Sequence, residues 1–540
     1  MSSPSFRDAH FRGDAGASAL LPRQYASLEG RVASVHAAAM QGLSDIVRAE
    51  LVRQNSAFAR DTTRLQFERL HHPQVTFVVT GQQTGLFGGP LYAMHKAASA
   101  VHLARQLEEE SGTPVIPVFW LQTEDHDAAE ISSATLIDAR GRVHQHSVAL
   151  EGAGRTSVAH LTLQQDVASI LDELTHLRGQ SPEQEQATAL LQRCWYAGRL
   201  VHEAFAEYVM AMLGPAGLLV FHPRTETIAP LAAPLHAWAI EKQADIAATL
   251  QHRSRELHAA GFGDQIPLRS NCCLNFVHPD APEGARFRLQ RHGDGWQIPS
   301  EGGVPRTVSD AQLREWLSDE PLRFSTSALL RPLLQDALLP TAAWLGGPAE
   351  VHYMAQVLPL YQLRGQRYPL FVPRASLQWV PRESADVLDS LGLSPRELAK
   401  GPLEAARLSE SRTKTAADDA LPTRLTAALL AAFDETTARF ASELHPLGDT
   451  AAKATEKTRQ HLASGLEKYA QKIERSLLMQ QHDRLHALEQ LCDWFWPAGQ
   501  AQERSAAWWS VASRFGSERA VEQLLADASP LLPSPREVRL

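Results

Sequence analysis

Residues 75–127 read VTFVVTGQQTGLFGGPLYAMHKAASAVHLARQLEEESGTPVIPVFWLQTEDHD, and this stretch decides the fold that we predict for the chain. The β-branched and aromatic run at 75–80 predicts a buried strand. A glycine-rich turn follows, and residues from about 91 to 110 have the apolar period of a helix. The apolar run at 115–121 predicts a second strand. Strand, turn, helix and strand form one βαβ unit, with parallel strands and a right-handed crossover.

Two unusual segments come directly after these two strands. One is the turn at 80–90, which has four glycines within nine positions, and the other is the acid–histidine cluster at 123–127. In parallel sheets, ligands bind just beyond the carboxyl ends of the strands. Because both segments fall at that edge, the sequence predicts the functional site there.

Length and composition exclude several classes of protein. The 540 residues are too many for one ordinary core, so we expect two or three structural units. The 44% hydrophobic and 21% charged residues are typical of a soluble globular protein. A formal net charge of -9 argues against a nucleic-acid-binding surface. We expect no membrane-spanning helix, because no stretch approaches about 20 uninterrupted apolar residues.

Cysteine usage and the N-terminus indicate the compartment. The chain has four cysteines without a regular framework, which is typical of reduced thiols in a cytoplasm. The N-terminal residues lack the apolar segment of a signal peptide. Adjacent Cys272 and Cys273 are interpreted as packing residues, because no pattern supplies the further ligands of a zinc site. The sequence assigns no metal ligand.

The order of patterns along the chain predicts an α/β core with two insertions. Further core strands are expected at 218–221 and 369–374. Short β-like runs predict insertions at about 132–190 and 261–325, within a core domain that covers residues 1–380.

The remaining residues have a different character. Residues 381–493 are predicted to be helical, with a helical hairpin or coiled coil where Leu462, Leu466, Tyr469 and Ile473 alternate spacings of four and three. A lone helix with such a seam is marginal in water, so the arm needs its own return helix or a second subunit. The aromatic-rich tail at 494–540 is expected to pack on the core.

The glycine-rich turn has two interpretations. Its backbone N–H groups and the following helix N-terminus can bind an anion, and its glutamines add side-chain donors. Alternatively, the glycines only allow close packing, and Lys96 is a solvated surface residue. The candidate binding residues are Thr80, Gly81, Gln82, Gln83, Gly85, Gly88, Gly89 and Lys96.

The acid–histidine cluster is the candidate catalytic group. Glu124, Asp125, His126 and Asp127 can hold a base, orient it, or bind a divalent metal or an amine. Asp127 also fits the start of a helix, as an N-cap with Glu130 three residues later. Polar residues beside other apolar runs are further substrate-binding candidates, although a structural role fits each equally well: Gln335, Asp336, Glu350 and Arg374.

Four segments resemble, in this order, the bacillithiol biosynthesis cysteine-adding enzyme family. They read TGQQTGLFGGPLYAMHKAASA, PVFWLQTEDHD, LLRPLLQDALLPTAAWLGGPAEVHYMAQ and PRAS. The similarity also covers the coiled coil and the tail motif PAGQAQER at 497–504. It implies a Rossmann-like core interrupted by two connecting inserts, as in nucleotidyltransferase-like synthetases, and a coiled-coil arm that forms a homodimer.

The resemblance further implies a reaction, which is the last step of bacillithiol synthesis. Cysteine is joined through its carboxyl group to the amine of glucosaminyl-malate. The family has a substrate pocket at the Rossmann site and a separate adenine-nucleotide site, for ATP or ADP, near which Gln500, Glu503 and Arg504 lie. His222 stands where we expect an aspartate after the third strand, and it receives no role.

On this interpretation, the chemistry needs an activated carboxyl group and an unprotonated amine. Glu124, Asp125 or Asp127 would bind an ammonium group, and His126 is the candidate base. The glycine turn would hold a phosphate or the malate carboxylates. Two alternatives stay open: an ATP-dependent nucleotidyltransferase-like synthetase for another small carboxylic acid, and a coiled-coil scaffold with a degenerate Rossmann body.

Overall fold

A computed structural model describes the chain in two compact units. The described residues are 5–177, 181–269, 271–300, 303–413, 421–479, 482–532 and 535–540. The first unit comprises Met1–Arg140, His144–Trp379 and Glu503–Val538, and the second comprises Gly141–Val143, Val380–Gln502 and Arg539–Leu540. We call them the core unit and the arm unit.

Within the described residues, the core unit is built on a parallel five-stranded sheet. The two strands predicted from residues 75–127 are adjacent in it and pair residue for residue from Thr76 with Val115 to Gln82 with Leu121. The strands, in the order in which they lie in the sheet, are β14 (Leu370–Pro373), β13 (Thr341–Gly346), β1 (Thr76–Gln82), β2 (Val115–Leu121) and β7 (Leu219–Phe221).

Alternating side chains of β1 face two different hydrophobic clusters. Val78 packs with the helix that follows β1, whereas Phe77 and Val79 belong to the cluster on the opposite face. Successive strand residues point to opposite faces, so a sheet covered on both faces needs an uninterrupted apolar run. This is why the core strands are recognisable from the sequence.

The direction of chain progression reverses beside β1. From β1 the chain continues to β2 and β7 on one side, and it later adds β13 and β14 on the other side. The carboxyl edge between β1 and β13 is therefore the topological switch point, where open α/β sheets bind ligands.

Helices cover the core sheet and extend from its insertions. The predicted helix at 91–110 is α6, and it ends at Gly112 in the left-handed conformation. Two helices follow β7, and they meet at Lys242. The core-unit helices are α1 (Phe6–Arg12), α2 (Ala15–Leu20), α3 (Leu28–Ala39), α4 (Asp45–Asn55), α5 (Asp61–Arg69), α6 (Leu91–Ser111), α7 (Ala128–Ile131), α8 (Asp166–Thr175), α9 (Pro182–Cys194), α10 (Val201–Leu213), α11 (Ala229–Glu241), α12 (Gln243–Ala259), α13 (Asp310–Asp319), α14 (Arg331–Leu338), α15 (Pro348–Arg364), α23 (Trp508–Phe515) and α24 (Ser517–Asp527).

The remaining strands form smaller sheets. An antiparallel sheet has the order β11 (Arg306–Val308), β10 (Gly295–Ile298), β9 (Phe287–His292), β8 (Cys272–Val277) and β12 (Phe324–Thr326). Two-stranded sheets pair β3 (Ser133–Ile137) with β4 (Val143–Ser147), β5 (Leu150–Glu151) with β6 (Thr162–Leu163), and β15 (Leu377–Val380) with β16 (Arg536–Arg539). The thiol of Cys273 is buried, and the side chain of Cys272 lies outside the described atoms.

The arm unit is helical. Its helices are α16 (Arg382–Leu391), α17 (Pro402–Thr413), α18 (Leu421–Arg439), α19 (Ala441–Leu444), α20 (Gly448–Met479) and α21 (His482–Phe495), and α22 (Gln502–Ser505) follows. Asp434 of α18 and Arg459 of α20 form an ion pair at 2.8 Å. In the predicted seam Leu466 is buried, but Tyr469 is 47% exposed. None of the described helices has both the length and the apolar composition needed to cross a membrane.

Candidate active site

Polar side chains from four strand ends line one cavity at the switch point. The cavity has a volume of about 300 Å³. We call it the lysine cavity, because the buried Lys96 lies in its wall. Its polar lining residues are Gln82, Gln83, Tyr92, Lys96, Gln122, Asp125, Glu130, Arg331, Glu350, Tyr353, Arg374 and Arg504.

A second cavity of about 270 Å³ adjoins the first. The two cavities share Gln122, Asp125, Ala328 and Arg331. We call the second one the histidine cavity, because His126 lies in its wall. Its other polar lining residues include Glu124, Arg286, Arg288 and Thr326, and its apolar lining residues include Ile246, Leu250, Ile266, Leu268, Leu274 and Phe276.

A hydrogen bond joins the two strand ends that the sequence singled out. Gln83 Nε2, just after β1, donates to Asp125 Oδ2, after β2, at 3.1 Å. The backbone N–H of His126 donates to Asp125 Oδ1 at 2.8 Å. The glycine turn and the acid–histidine cluster therefore meet at the carboxylate that both cavities share.

Lys96 is a buried cation with fixed partners. Its Nζ donates to the carbonyl oxygen of Gly81 at 2.9 Å and to Gln82 Oε1 at 2.7 Å, and it pairs with Glu350. Burial lowers the pKa of Lys96, and the charge of Glu350 opposes that shift. Glu350 is held in turn by the backbone N–H of Gly347, which donates to it at 2.7 Å at the start of α15. The interpretation of Lys96 as a solvated surface residue is wrong.

Arg374 is clamped by Glu503. Its Nη1 and Nη2 donate to the two carboxylate oxygens at 2.8 and 2.9 Å, and Ser376 Oγ donates to the same carboxylate at 2.8 Å. Burial alone would raise the pKa of Glu503, but the charge of Arg374 and a hydrogen bond from His95 hold that pKa well below its usual range. Glu503 is therefore ionised and orients Arg374 in the wall of the lysine cavity.

Two arginines of the lysine cavity make no salt bridge with any described residue. They are Arg331, which begins α14, and Arg504. Burial alone would lower the pKa of Arg331, but Tyr353, Asp125 and Glu350 raise it. Because Lys96 and Arg374 are already paired, Arg331 and Arg504 are the cations that remain for a bound anion.

The histidine cavity contains a closed polar network around Arg286, which is 3% exposed. Its Nη1 lies 3.4 Å from Asp125 Oδ1 and 3.0 Å from His126 Nδ1, and its Nη2 donates to the carbonyl oxygen of Thr326 at 2.6 Å. Its Nε donates to Ser325 Oγ at 2.9 Å. Burial alone would raise the pKa of Asp125, but a hydrogen bond with His126 and the charge of Arg286 lower it overall.

Comparison with known proteins identifies the family. The chain matches the model of the bacillithiol biosynthesis BshC N-terminal Rossmann-like domain over residues 21–375 and that of the BshC C-terminal coiled-coil domain over residues 377–532. The chain belongs to the BshC family of bacillithiol biosynthesis. This confirms the resemblance that the motifs carry, and it confirms the predicted fold class of a Rossmann-like core with a C-terminal coiled coil.

Relatives of the BshC family resemble this chain over most of its length. A protein of Solibacter usitatus is 31% identical over 81% of this chain and 79% of its own length. Proteins of Koribacter versatilis and Salinibacter ruber are 29% and 30% identical, over 86% and 90% of this chain and 84% and 87% of their own lengths. All three are named "Putative cysteine ligase BshC", which confirms the prediction of a ligase.

The glycine turn of this BshC-family chain is explained by packing. A Cβ on Gly85 would lie 2.9 Å from the Cα of Gly89, and one on Gly88, where φ is 89°, would lie 2.6 Å from the ring of Tyr208. The first N–H of α6, on Leu91, donates to the carbonyl oxygen of Ala506 at 2.8 Å. This N–H is therefore not available to an anion, whereas Gln82 and Gln83 of the turn line the lysine cavity. The Thr80 hydroxyl also has a partner within the protein, because it donates to the carbonyl oxygen of Leu345.

Two members of the acid cluster have structural partners. Glu124 accepts hydrogen bonds from the N–H and the hydroxyl of Thr326, which fastens the end of β2 to β12. Asp127 is exposed, lines neither cavity and caps α7 by accepting from the N–H of Glu130 at 3.2 Å. The N-cap alternative for Asp127 is confirmed, whereas a catalytic role for Glu124, which also lines the histidine cavity, stays a prediction.

His126 lies between a cation and an anion. Its Nδ1 is 3.0 Å from Arg286 Nη1 and 3.4 Å from Asp125 Oδ1. A guanidinium group can only donate, so a hydrogen bond from Arg286 would occupy the Nδ1 lone pair, whereas a hydrogen bond to Asp125 needs a proton on Nδ1. The assignment of His126 as the base stays a prediction.

Gln335 and Asp336 lie in α14, away from both cavities, and each is 3% exposed. Gln335 Nε2 donates to Asp336 Oδ1 at 3.1 Å, and the Tyr361 hydroxyl donates to Asp336 Oδ2. Burial raises the pKa of Asp336 to about 6. Their predicted role in substrate binding is wrong, because the protein itself satisfies their polar atoms.

The second nucleotide site, predicted at Gln500, Glu503 and Arg504, stays a prediction, and these residues belong to two units. Glu503 is committed to Arg374, and Arg504 lines the lysine cavity. Gln500 is exposed in the arm unit. The residues that the sequence did not reveal are Tyr92, Gln122, Glu130, Arg286, Arg331 and Tyr353. Of these, only Arg331 carried a signal, as a lone charge inside the apolar run LLRPLL.

Proposed function

We propose that the chain is a cytoplasmic ligase that joins the carboxyl group of cysteine to the amine of glucosaminyl-malate, the last step of bacillithiol synthesis. The observation that carries this proposal is the pair of adjoining cavities that share Asp125 and Arg331. Amide formation needs two substrates held side by side. Two cavities with a common wall supply that arrangement, and the names of the relatives support cysteine as one substrate.

The lysine cavity is the proposed site for glucosaminyl-malate. Malate supplies two carboxylates, and Arg331 and Arg504 are two guanidinium groups without a salt bridge among the described residues. Arginine binds carboxylates through paired, charge-assisted hydrogen bonds. The charge of Lys96 is balanced by Glu350, and that of Arg374 by Glu503. These ion pairs therefore form the wall of the cavity, and the ligand is left to the other two arginines.

The histidine cavity is the proposed site for cysteine. Leu250, Leu274 and Phe276 form an apolar wall that suits a small thiol side chain. Arg288 lines the same cavity, and its Cζ lies 5.0 Å from the ring centre of Phe276. Its guanidinium group is the proposed partner for the amino-acid carboxylate before activation.

Two carboxylates act on the attacking amine: one binds its ammonium form and the other accepts its proton. Asp125 has a lowered pKa, so it is ionised and suited to binding an ammonium group, but it is a weak proton acceptor. Burial raises the pKa of Glu130, and the charges of Asp127 and Asp125 raise it further. Glu130 lines the lysine cavity, and we assign it the role of accepting the proton from the amine.

A carboxylate and an amine do not condense unaided in water, so the reaction needs an activating co-substrate. We propose an adenine nucleotide for this role. We assign the nucleotide to no residue of the two cavities and derive no step through it.

We also propose that the chain forms a homodimer through its arm unit. Leu429, Phe440, Leu447 and Tyr469 of that unit are between 43% and 65% exposed. Large apolar side chains on one helical region are typical of an interaction surface. Light scattering after size-exclusion chromatography tests this, and a monomer at micromolar concentration would contradict it.

The reaction is tested with purified full-length protein, cysteine and glucosaminyl-malate, with and without ATP, by measuring bacillithiol with mass spectrometry. Product that appears only with ATP supports both the reaction and the nucleotide. Product without ATP contradicts the nucleotide requirement alone. No product in either mixture, from protein that is folded by circular dichroism, contradicts the proposed reaction.

The placement of glucosaminyl-malate is tested with Arg504→Gln. Arg504 is exposed, so the substitution should leave the fold intact. We expect the KM for glucosaminyl-malate to rise about 10- to 100-fold, the size expected for a lost hydrogen bond to a charged group, with kcat near the wild-type value. Arg519→Gln on α24, also exposed and outside both cavities, is the matched control. Equal KM values for the two variants would contradict this placement.

A further inference from the structure

A cluster of metal-ligand side chains lies outside both cavities, in the first insertion. His144 and His146 are two positions apart on β4, so they share one face of the strand. Their rings are parallel, with centres 6.3 Å apart. Helix α8 brings Glu173 to the same place, and one ligand atom from each of the three residues lies within 4.8 Å of the others.

A buried carboxylate supports the first histidine. His144 Nε2–H donates to Asp138 Oδ2 at 3.1 Å, and Asp138 is 3% exposed. The other oxygen of Asp138 accepts from the N–H of Arg140 at 2.9 Å, which fixes the carboxylate. A carboxylate that orients a histidine ring is the usual surrounding of a protein zinc site.

The second histidine has a free nitrogen. His146 Nε2 is buried and has no hydrogen-bond partner among the described residues. A buried nitrogen lone pair without a partner is costly unless a ligand occupies it.

We propose that His144, His146 and Glu173 bind a zinc ion, with Asp138 as the residue that positions His144. Two imidazoles and a carboxylate are a common zinc donor set, with water in the fourth position. Imidazole ligands favour zinc over magnesium and calcium, which prefer oxygen ligands. None of the four residues lines the lysine cavity or the histidine cavity, so the site is independent of the proposed reaction.

The ion would fasten β4 to α8. The apolar face of α8 is already buried through Val167, Ile170, Leu171 and Leu174, whereas Glu173 is on its exposed side. A zinc bridge at Glu173 would therefore add a second anchor to a helix that packing holds on one side only. Its role is to stabilise the insertion.

Zinc titration of metal-stripped, tag-free full-length protein, followed by calorimetry, tests the site. We expect about one equivalent of zinc to bind with a Kd below about 10 μM, and magnesium not to compete. His146→Ala and Glu173→Gln should each weaken binding at least 10-fold. Asp138→Asn should weaken it about 10- to 100-fold, the range for supporting residues of metal sites.

His176→Ala is the matched control, since His176 follows α8 and its side chain is 74% exposed. Zinc should raise the Tm of the wild type and of His176→Ala, but not that of Glu173→Gln. Because Glu173 is exposed, Glu173→Gln should fold even if His146→Ala does not. Equal zinc affinity in wild type and Glu173→Gln would overturn the proposal, and so would a wild type that binds no zinc at 100 μM, about ten times the expected Kd.

Discussion

The arginines around the two adjoining cavities differ in how their charges are balanced. In the histidine cavity, Arg286 contacts Asp125, His126 and the Thr326 carbonyl, so this guanidinium group has partners within the protein. Arg504 of the lysine cavity, and Arg331, which lines both cavities, make no salt bridge among the described residues. A closed network favours a rigid wall, and cations without a salt bridge favour an anionic ligand.

This difference distinguishes residues that stabilise the structure of the site from residues that bind substrate. Substitutions in the closed network should change stability first, because they leave buried groups without partners. Substitutions that face the lysine cavity should change kinetics at nearly constant stability. The comparison fails if both kinds of substitution have the same effect.

The largest effect is expected for Arg286→Ala. It removes the donor to four groups and leaves the charge of Asp125 without its cation. Asp125 is 31% exposed, so the main cost comes from the buried acceptors left without a donor, and the free energy of unfolding should fall by about 1–3 kcal/mol. Urea denaturation followed by circular dichroism measures it. Arg288→Ala in the same cavity is the control, with an expected loss below about 1 kcal/mol from its contact with Phe276.

A kinetic effect without a stability effect is expected for Glu130→Gln. If Glu130 accepts the proton of the amine, kcat/KM should fall by about 100-fold or more. The sign of the pH dependence follows from the raised pKa of Glu130: the active carboxylate form increases as pH rises through that value. The wild-type rate should therefore rise with pH on the acid side, and the variant should lack this limb. A variant that retains it would exclude Glu130 as the base.

Much of the fold could be predicted from the sequence, because burial on both faces makes the core strands continuous apolar runs. The helix predicted at 91–110 is Leu91–Ser111, and the second strand was predicted at its observed bounds, Val115–Leu121. The position of the site at the strand ends followed from the βαβ order alone. These features depend on local pattern and on general rules of chain connection.

The composition of the site could not be predicted in the same way. Arg286 lies in an insertion 161 positions after Asp125, and no local pattern indicates that the two meet. The glycines were ambiguous for another reason, because both ligand binding and close packing require the absence of a Cβ. For Gly88, the nearby ring of Tyr208 shows that close packing is the reason. The cluster of His144, His146 and Glu173 was missed because its third ligand lies on a separate element.

The smallest effect should come from His126, and its comparison with Asp125 tests the boundary between the two cavities. Asp125→Asn removes the charge that both cavities share, so bacillithiol formation should slow by about 10- to 100-fold. His126→Ala removes only an acceptor of Arg286, whose other hydrogen bonds remain, and the rate should stay within about 3-fold of wild type. A larger loss in His126→Ala than in Asp125→Asn would mean that the imidazole leaves Arg286 during the reaction and acts as the base. The histidine cavity would then be a part of the site that opens during catalysis, and the rigid-wall interpretation would be wrong.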